Sequence, residues 1–300
     1  MRTRPAGFRG LRATAAWLAL VSLGAAAAGC VNVNVVLEQV SDARRLAAEL
    51  LVQFTKAADA ANRAVMADTD EASVAFAREA EQAIEQIQKD VDALGPILKN
   101  LKYSNESRLL DEFASRFSDY RALDRRILDL AVENTNLKAQ RLSFGPAQDA
   151  ADTFRDALEA VVPSVSAGER SRVEALVARA IATVREIQVL QAPHIADADE
   201  KVMTRMEQRM ATSESAARKS LQALAPLVPA ASKPKLAAAS AALDRFMELN
   251  GQIIALSRRN TNVRSLALSL EQKPKLIAAC EESLRGLRDA LAKRGYTGSR

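Results

Sequence analysis

The sequence predicts an all-α protein, an elongated antiparallel helical bundle built from two tandem four-helix repeats. Three observations predict it. Ala, Leu, Glu, Lys, Arg and Gln fill most of the 300 positions, aromatic residues make up 4%, and only 11 Gly and 9 Pro are present, a composition that favours long helices. Apolar residues recur at helical spacing over long stretches. Three blocks also return in one order at nearly one offset. Ala93-Leu94-Gly95-Pro96 becomes Ala223-Leu224-Ala225-Pro226, 130 residues on, and Ala67-Asp68-Thr69-Asp70-Glu71 becomes Ala196-Asp197-Ala198-Asp199-Glu200, 129 on. The stretch from Asn134-Thr135-Asn136 to Leu142-Ser143 becomes Asn260-Thr261-Asn262 to Leu268-Ser269, 126 on.

Residues 1–29 form the first element. Arg2, Arg4, Arg9 and Arg12 precede an uncharged stretch, 13–29, that ends in small residues, the pattern of a bacterial export signal. Its 17 residues sit at the low end of the roughly 17–25 that span a bilayer, which favours cleavage. Ala27-Ala28-Gly29-Cys30 resembles the lipobox of bacterial lipoproteins, which implies lipidation of Cys30 as the first mature residue; the alternative is an uncleaved N-terminal anchor helix. Either way the body is expected outside the cytoplasm, on the periplasmic side of the envelope and tethered to a membrane. The formal charge of +5 includes those four leader arginines, which leaves about +1 on the body and no basic face for nucleic acid.

The first copy spans residues 31–162, with helices expected at 34–66, 70–94, 106–144 and 147–162 and breaks at Gly95-Pro96 and Gly145-Pro146. Asp68 or Thr69 can cap the second of these helices. The second copy spans 167–294, with helices at 168–195, 199–225, 233–270 and 274–294, and a polar tail follows at 295–300. The third helix of each copy carries a heptad seam. In copy one it is Tyr120, Leu123, Ile127, Leu130, Asn134, Leu137, Arg141 and Phe144; in copy two, Phe246, Leu249, Ile253, Leu256, Asn260, Val263, Ala267 and Leu270. At 1.5 Å per residue such helices would be roughly 57 Å long.

Leu109-Leu110-Asp111-Glu112-Phe113, leading through Phe117 and Tyr120 into Ile127-Leu128-Asp129-Leu130-Ala131 behind an N-terminal anchor, resembles the four-helix-bundle sensor domain of methyl-accepting chemotaxis receptors. The doubling is similar to the helical bimodular sensor domains of the same receptors. The resemblance implies binding of small molecules between helices. It departs from the receptors in having no second membrane span and no cytoplasmic signalling module, so a sensor half alone is expected, passing its signal to a partner or holding a ligand.

Asn134 and Asn260 place amides in apolar seams, where an unpartnered amide costs roughly 1–3 kcal/mol. One reading is that each fixes register across the core, so that Asn260→Leu would raise stability. The other is that Asn260 with Arg258, Arg259 or Arg264, and Asn134 with the seam residue Arg141, grip a carboxylate or amino acid through charge-assisted bonds. Met203, Met206 and Met210 share a face with the spacing of a thioether metal site, but a packing stripe is expected. His194 is expected at the surface near a helix end, and Cys280 in the core. With one His, no Cys-x-x-Cys and no phosphate-binding glycine loop, neither metal, cofactor nor catalysis is expected. Partners are expected to be the membrane, a small ligand, and a helical protein or second copy; a structural or scaffolding lipoprotein that binds partner helices is the alternative function.

Overall fold

The structure, a computed structural model, describes residues 12–294, with side chains from Val35 onward. The leader at 1–29, Cys30 as lipid acceptor and the tail 295–300 lie outside the residues described in full. Among the described residues there are ten α-helices and no strand: α1 (Arg12–Met66), α2 (Asp70–Asn100), α3 (Ser104–Glu133), α4 (Thr135–Leu142), α5 (Gln148–Glu159), α6 (Arg170–Ala196), α7 (Glu200–Leu224), α8 (Lys233–Arg259), α9 (Thr261–Glu271) and α10 (Lys273–Lys293). The protein is all-α, as the composition predicts. Thr69 Oγ1 accepts from Ala72 N at 3.1 Å to cap α2, and Asp199 caps α7 by accepting from Lys201 N and Val202 N.

Several boundaries differ from expectation. Gly95-Pro96 does not end α2, which runs on to Asn100. Pro96 and Asp92, whose carbonyl the ring leaves without a donor, are both exposed, so that carbonyl is not buried unpaired. Gly145-Pro146 sits in a π-helical turn, Ser143–Ala147, between α4 and α5. The helices expected at 106–144 and 233–270 are each broken, at Asn134 and Asn260, which adopt left-handed backbone conformations with φ of 52° and 53°. Past each break the heptad seam no longer faces inward. Arg141 and Ala267 are exposed, and Phe144 and Leu270 are 72% and 67% exposed.

The chain divides into two compact units, and they are not the two sequence copies. The first takes the chain up to Ala58, then Ala80–Arg121 and the chain from Lys275 on; the second takes Asp59–Glu79 and Ala122–Pro274. The first unit is a four-helix core. Leu46, Leu50 and Phe54 of α1, Ile87, Leu94 and Leu98 of α2, Leu110, Phe113, Phe117 and Tyr120 of α3, and Cys280, Leu284, Leu287 and Leu291 of α10 pack together. Phe54 meets the rings of Phe113, Phe117 and Tyr120 edge-on at 6.2, 6.3 and 4.9 Å. Cys280 is a core residue as expected, and burial pushes its thiol up to about 12.

The last turn of α10 is tied down by charge. Arg44 donates to the Leu291 carbonyl at 3.2 Å, and Arg294 makes a two-pronged bond to Glu106 at 2.7 and 2.8 Å. The Arg294 guanidinium holds the Glu106 carboxyl below its ordinary value, against the burial that would raise it. A carboxyl depressed in the folded state adds stability above its unfolded pKa and loses it as pH falls through the folded one. Glu106→Gln should therefore cost about 1 kcal/mol at pH 7. Denaturant midpoints of the two proteins should converge as the pH drops below about 4.

The second unit has its own four-helix core. Phe154 and Leu158 of α5, Val177, Val184 and Ile187 of α6, Met203, Met206, Met210 and Leu221 of α7, and Leu243, Phe246, Leu249 and Ile253 of α8 are buried together. The methionine stripe is thus packing, as expected. By the repeat offsets α5 is the fourth helix of copy one and α10 the fourth helix of copy two. Each of the ranges 31–162 and 167–294 contributes three helices to one core and its fourth helix to the other, so neither range is itself a compact body.

Candidate functional site

The exchange is made at the two Asn-Thr-Asn blocks, which meet in the second unit. Asn is among the few residues that enter the left-handed region at low cost. Placed there, Asn134 ends α3 and its carbonyl accepts from Lys138 N to begin α4; Asn260 ends α8 and accepts from Arg264 N to begin α9. A new helix start leaves backbone N–H groups without partners, and here each start is capped by the other. Thr135 N donates to Thr261 Oγ1 at 3.1 Å and Thr261 N to Thr135 Oγ1 at 3.2 Å. Asn136 N donates to Asn262 Oδ1 and Asn262 N to Asn136 Oδ1, both at 3.1 Å. The result is a reciprocal clasp with approximate two-fold symmetry, buried at Asn134, Thr135, Asn136, Asn260 and Thr261.

The clasp is docked asymmetrically. Asn136 Nδ2 donates to the Ile195 carbonyl at 2.6 Å and to Asn260 Oδ1 at 2.8 Å, and Asn260 Nδ2 donates to the Asp197 carbonyl at 2.7 Å. These amides thereby satisfy carbonyls at the end of α6. On the other side Asn262 Nδ2 donates to Asn134 Oδ1 at 2.7 Å, while Asn134 Nδ2 is buried without a partner.

Two equivalent polar clusters flank the clasp. Ser143 Oγ donates to Gln191 Oε1 at 2.7 Å, and Gln191 Nε2 to Asn250 Oδ1 at 2.9 Å. At the matching positions of the other copy, Ser269 Oγ lies 3.4 Å from Asn62 Oδ1, and Lys273 Nζ lies 3.3 Å from Asn62 Oδ1 and 2.9 Å from Asp124 Oδ1. The same positions hold neutral groups in one cluster and a fully buried ion pair in the other.

A third network surrounds His194, which is fully buried and not at the surface as expected. The reason is that α7 and α8 close over the end of α6. Nδ1 contacts Ser257 Oγ, and Nε2 lies 2.8 Å from Glu207 Oε1. Arg258 Nε and Nη2 donate to the two oxygens of Glu207 at 2.7 and 2.9 Å. These bonds, the Arg258 guanidinium first, hold the Glu207 carboxyl below its ordinary value. Ser257, His194 and Glu207 line up as a hydroxyl, an imidazole and a carboxylate, yet Ser257 and His194 are fully buried and no substrate reaches them.

The residues read from sequence as a carboxylate grip do not converge. Asn134 and Asn260 are committed to the clasp, and Arg258 to Glu207. Arg141 is on the surface, paired with Asp70 at 2.9 Å, because the break at Asn134 turns its part of the seam outward. Arg259 pairs with Glu133, and Arg264 is exposed. Sequence reasoning missed Thr135, Asn136, Thr261, Asn262, His194, Glu207 and Ser257. A signal for the clasp was present: three adjacent polar residues repeated in two apolar seams cannot all face one stripe of a helix. Among the residues whose side chains are described, from Val35 on, no group of three or more His, Cys, Asp or Glu is placed to hold a metal ion, and no helix is long and apolar enough to cross a membrane.

Residues 15–165 match a family model described as a four-helix-bundle sensory module for signal transduction. No curated protein matches the chain.

Proposed function

The chain belongs to the family of four-helix-bundle sensory modules for signal transduction, and from that premise we propose that it is an extracytoplasmic, membrane-tethered sensor that binds a small molecule or a helical partner and passes the event on. The match over residues 15–165 carries this reading. It is a signal-transduction module and not an enzyme family, and modules of this kind are typically periplasmic sensors. The basic leader ahead of an uncharged stretch supports export.

The tether is either lipid on Cys30 or an anchor helix. The second has an observation of its own: the match begins at residue 15, inside the uncharged stretch, and the α1 backbone is one helix from Arg12 to Met66. Labelling cells with a fatty-acid analogue separates the two. A labelled protein that Cys30→Ser releases from membranes is a lipoprotein, an unlabelled membrane protein retaining residues 1–29 is helix-anchored, and a protein recovered in the cytoplasm refutes the reading. A thermal-shift screen of amino acids and carboxylic acids tests the sensor, since a ligand at 100 times its Kd stabilises by about 2.7 kcal/mol. A scaffolding lipoprotein would show no shift with any of them and would crosslink stoichiometrically to a protein partner in the cell.

A further inference from the structure

His194 is the chain's one histidine, and its network has an internal control in the other copy. The repeat offsets carry His194 to Val65, Ser257 to Ala131 and Glu207 to Arg78. Val65 and Ala131 pack with Ile127 in a small apolar cluster of the second unit. The fold therefore fills this place in one copy with apolar side chains and one buried hydroxyl, Ser73 Oγ, bonded to the Ala64 and Ala131 carbonyls at 3.1 Å, and in the other with a buried imidazole, a hydroxyl and a carboxylate. The bundle closes at this place in copy one without an imidazole or a carboxylate.

The hydrogen count makes the polar version responsive to protons. Ser257 Oγ touches His194 Nδ1 and also lies 3.1 Å from the His194 carbonyl, but it has one hydrogen to give. With a neutral imidazole, Nε2–H donates to Glu207 and the hydroxyl donates to Nδ1. With an imidazolium, Nδ1–H donates to Oγ and the hydroxyl hydrogen turns to the His194 carbonyl. That carbonyl is in the last turn of α6, next to the Ile195 and Asp197 carbonyls that hold Asn136 and Asn260. The charged groups facing the imidazole among the described residues are Glu207 from α7 and Arg258 from α8, which share one carboxylate. Arg258 in turn lies in the field of Glu200. α4 reaches the adjoining Ile195 carbonyl with the uncharged amide of Asn136.

We propose that His194 is a proton-responsive element: uptake of a proton resets the hydrogen bonds at the end of α6 and with them the docking of the clasp. The device goes beyond the sensory reading and does not depend on it, since its test needs neither ligand nor membrane.

The test uses the full-length chain. Its single imidazole gives one set of ring signals to follow by NMR from pH 5 to 8; if the proposal holds, these change with pH and the side-chain amide signals of Asn136 and Asn260 move with the same midpoint. In His194→Val/Ser257→Ala, which installs the residues of the other copy, the change in melting temperature between pH 5 and 8 should differ from wild type by about 3 °C or more. An imidazole that does not titrate in this range, amides that stay fixed while it titrates, or parallel melting profiles would each overturn the proposal. If the double variant fails to fold, the wild-type titration decides alone.

Discussion

Asn260→Leu should destabilise the protein by about 3–5 kcal/mol, the reverse of what its place in an apolar seam suggests. Leu in the left-handed region costs roughly 1–2 kcal/mol. Its side chain also leaves the Asp197 carbonyl without its amide donor and takes one acceptor from Asn136, at about 1–3 kcal/mol for a buried polar group left unpaired. Asn134→Leu meets the same backbone cost but removes a single side-chain bond, from Asn262, and an Nδ2 already without a partner. It should cost less, about 2–3 kcal/mol. Asn260→Gly separates the two contributions, because glycine accepts the left-handed backbone while losing the bonds. Urea midpoints of the three variants rank them; an unchanged or higher midpoint for Asn260→Leu would show that the clasp does not hold the crossover.

Lys273→Met should be as damaging, about 3–5 kcal/mol, because it leaves the fully buried Asp124 without the ammonium 2.9 Å away. The other copy shows how to undo the damage. Its cluster places neutral Asn250 and Gln191 where Asp124 and Asn62 stand, and Ala147 where Lys273 stands. Adding Asp124→Asn to Lys273→Met should restore most of the lost stability, since a buried carboxylate costs far more without the ammonium than a neutral amide that can bond to Asn62. Denaturation of the single and double variants closes the cycle. A double variant no more stable than the single one would mean that the lysine's stem, not its charge, fills the site.

Much of the fold is legible in the sequence because helices are local. Composition, apolar spacing and the prolines at 226, 234 and 274 mark most elements, and the offsets mark the repeat. What is not legible is decided by contacts far apart in the chain. An asparagine that breaks a helix in the left-handed region reads like any polar residue in a seam. The two copies carry such similar apolar patterns that α5 and α10 could serve either core, and only the turn at each clasp asparagine selects one. His194 follows Pro193 at a helix end and reads as exposed, since Glu207 and Ser257, which bury it, come from other helices 13 and 63 residues away.

The exchange of fourth helices also governs the order in which the molecule can assemble. Helical bundles usually fold from neighbours in the chain and therefore fast. Here the first core waits for α10: the bond from Arg44 to Leu291 spans 247 residues and that from Glu106 to Arg294 spans 188. During synthesis Phe54, Phe113 and Phe117 emerge long before the helix that covers them, so an exposed apolar stripe persists until α10 is made. That delay is a hazard. A first core that cannot close early leaves its aromatic stripe open to other chains until α10 arrives.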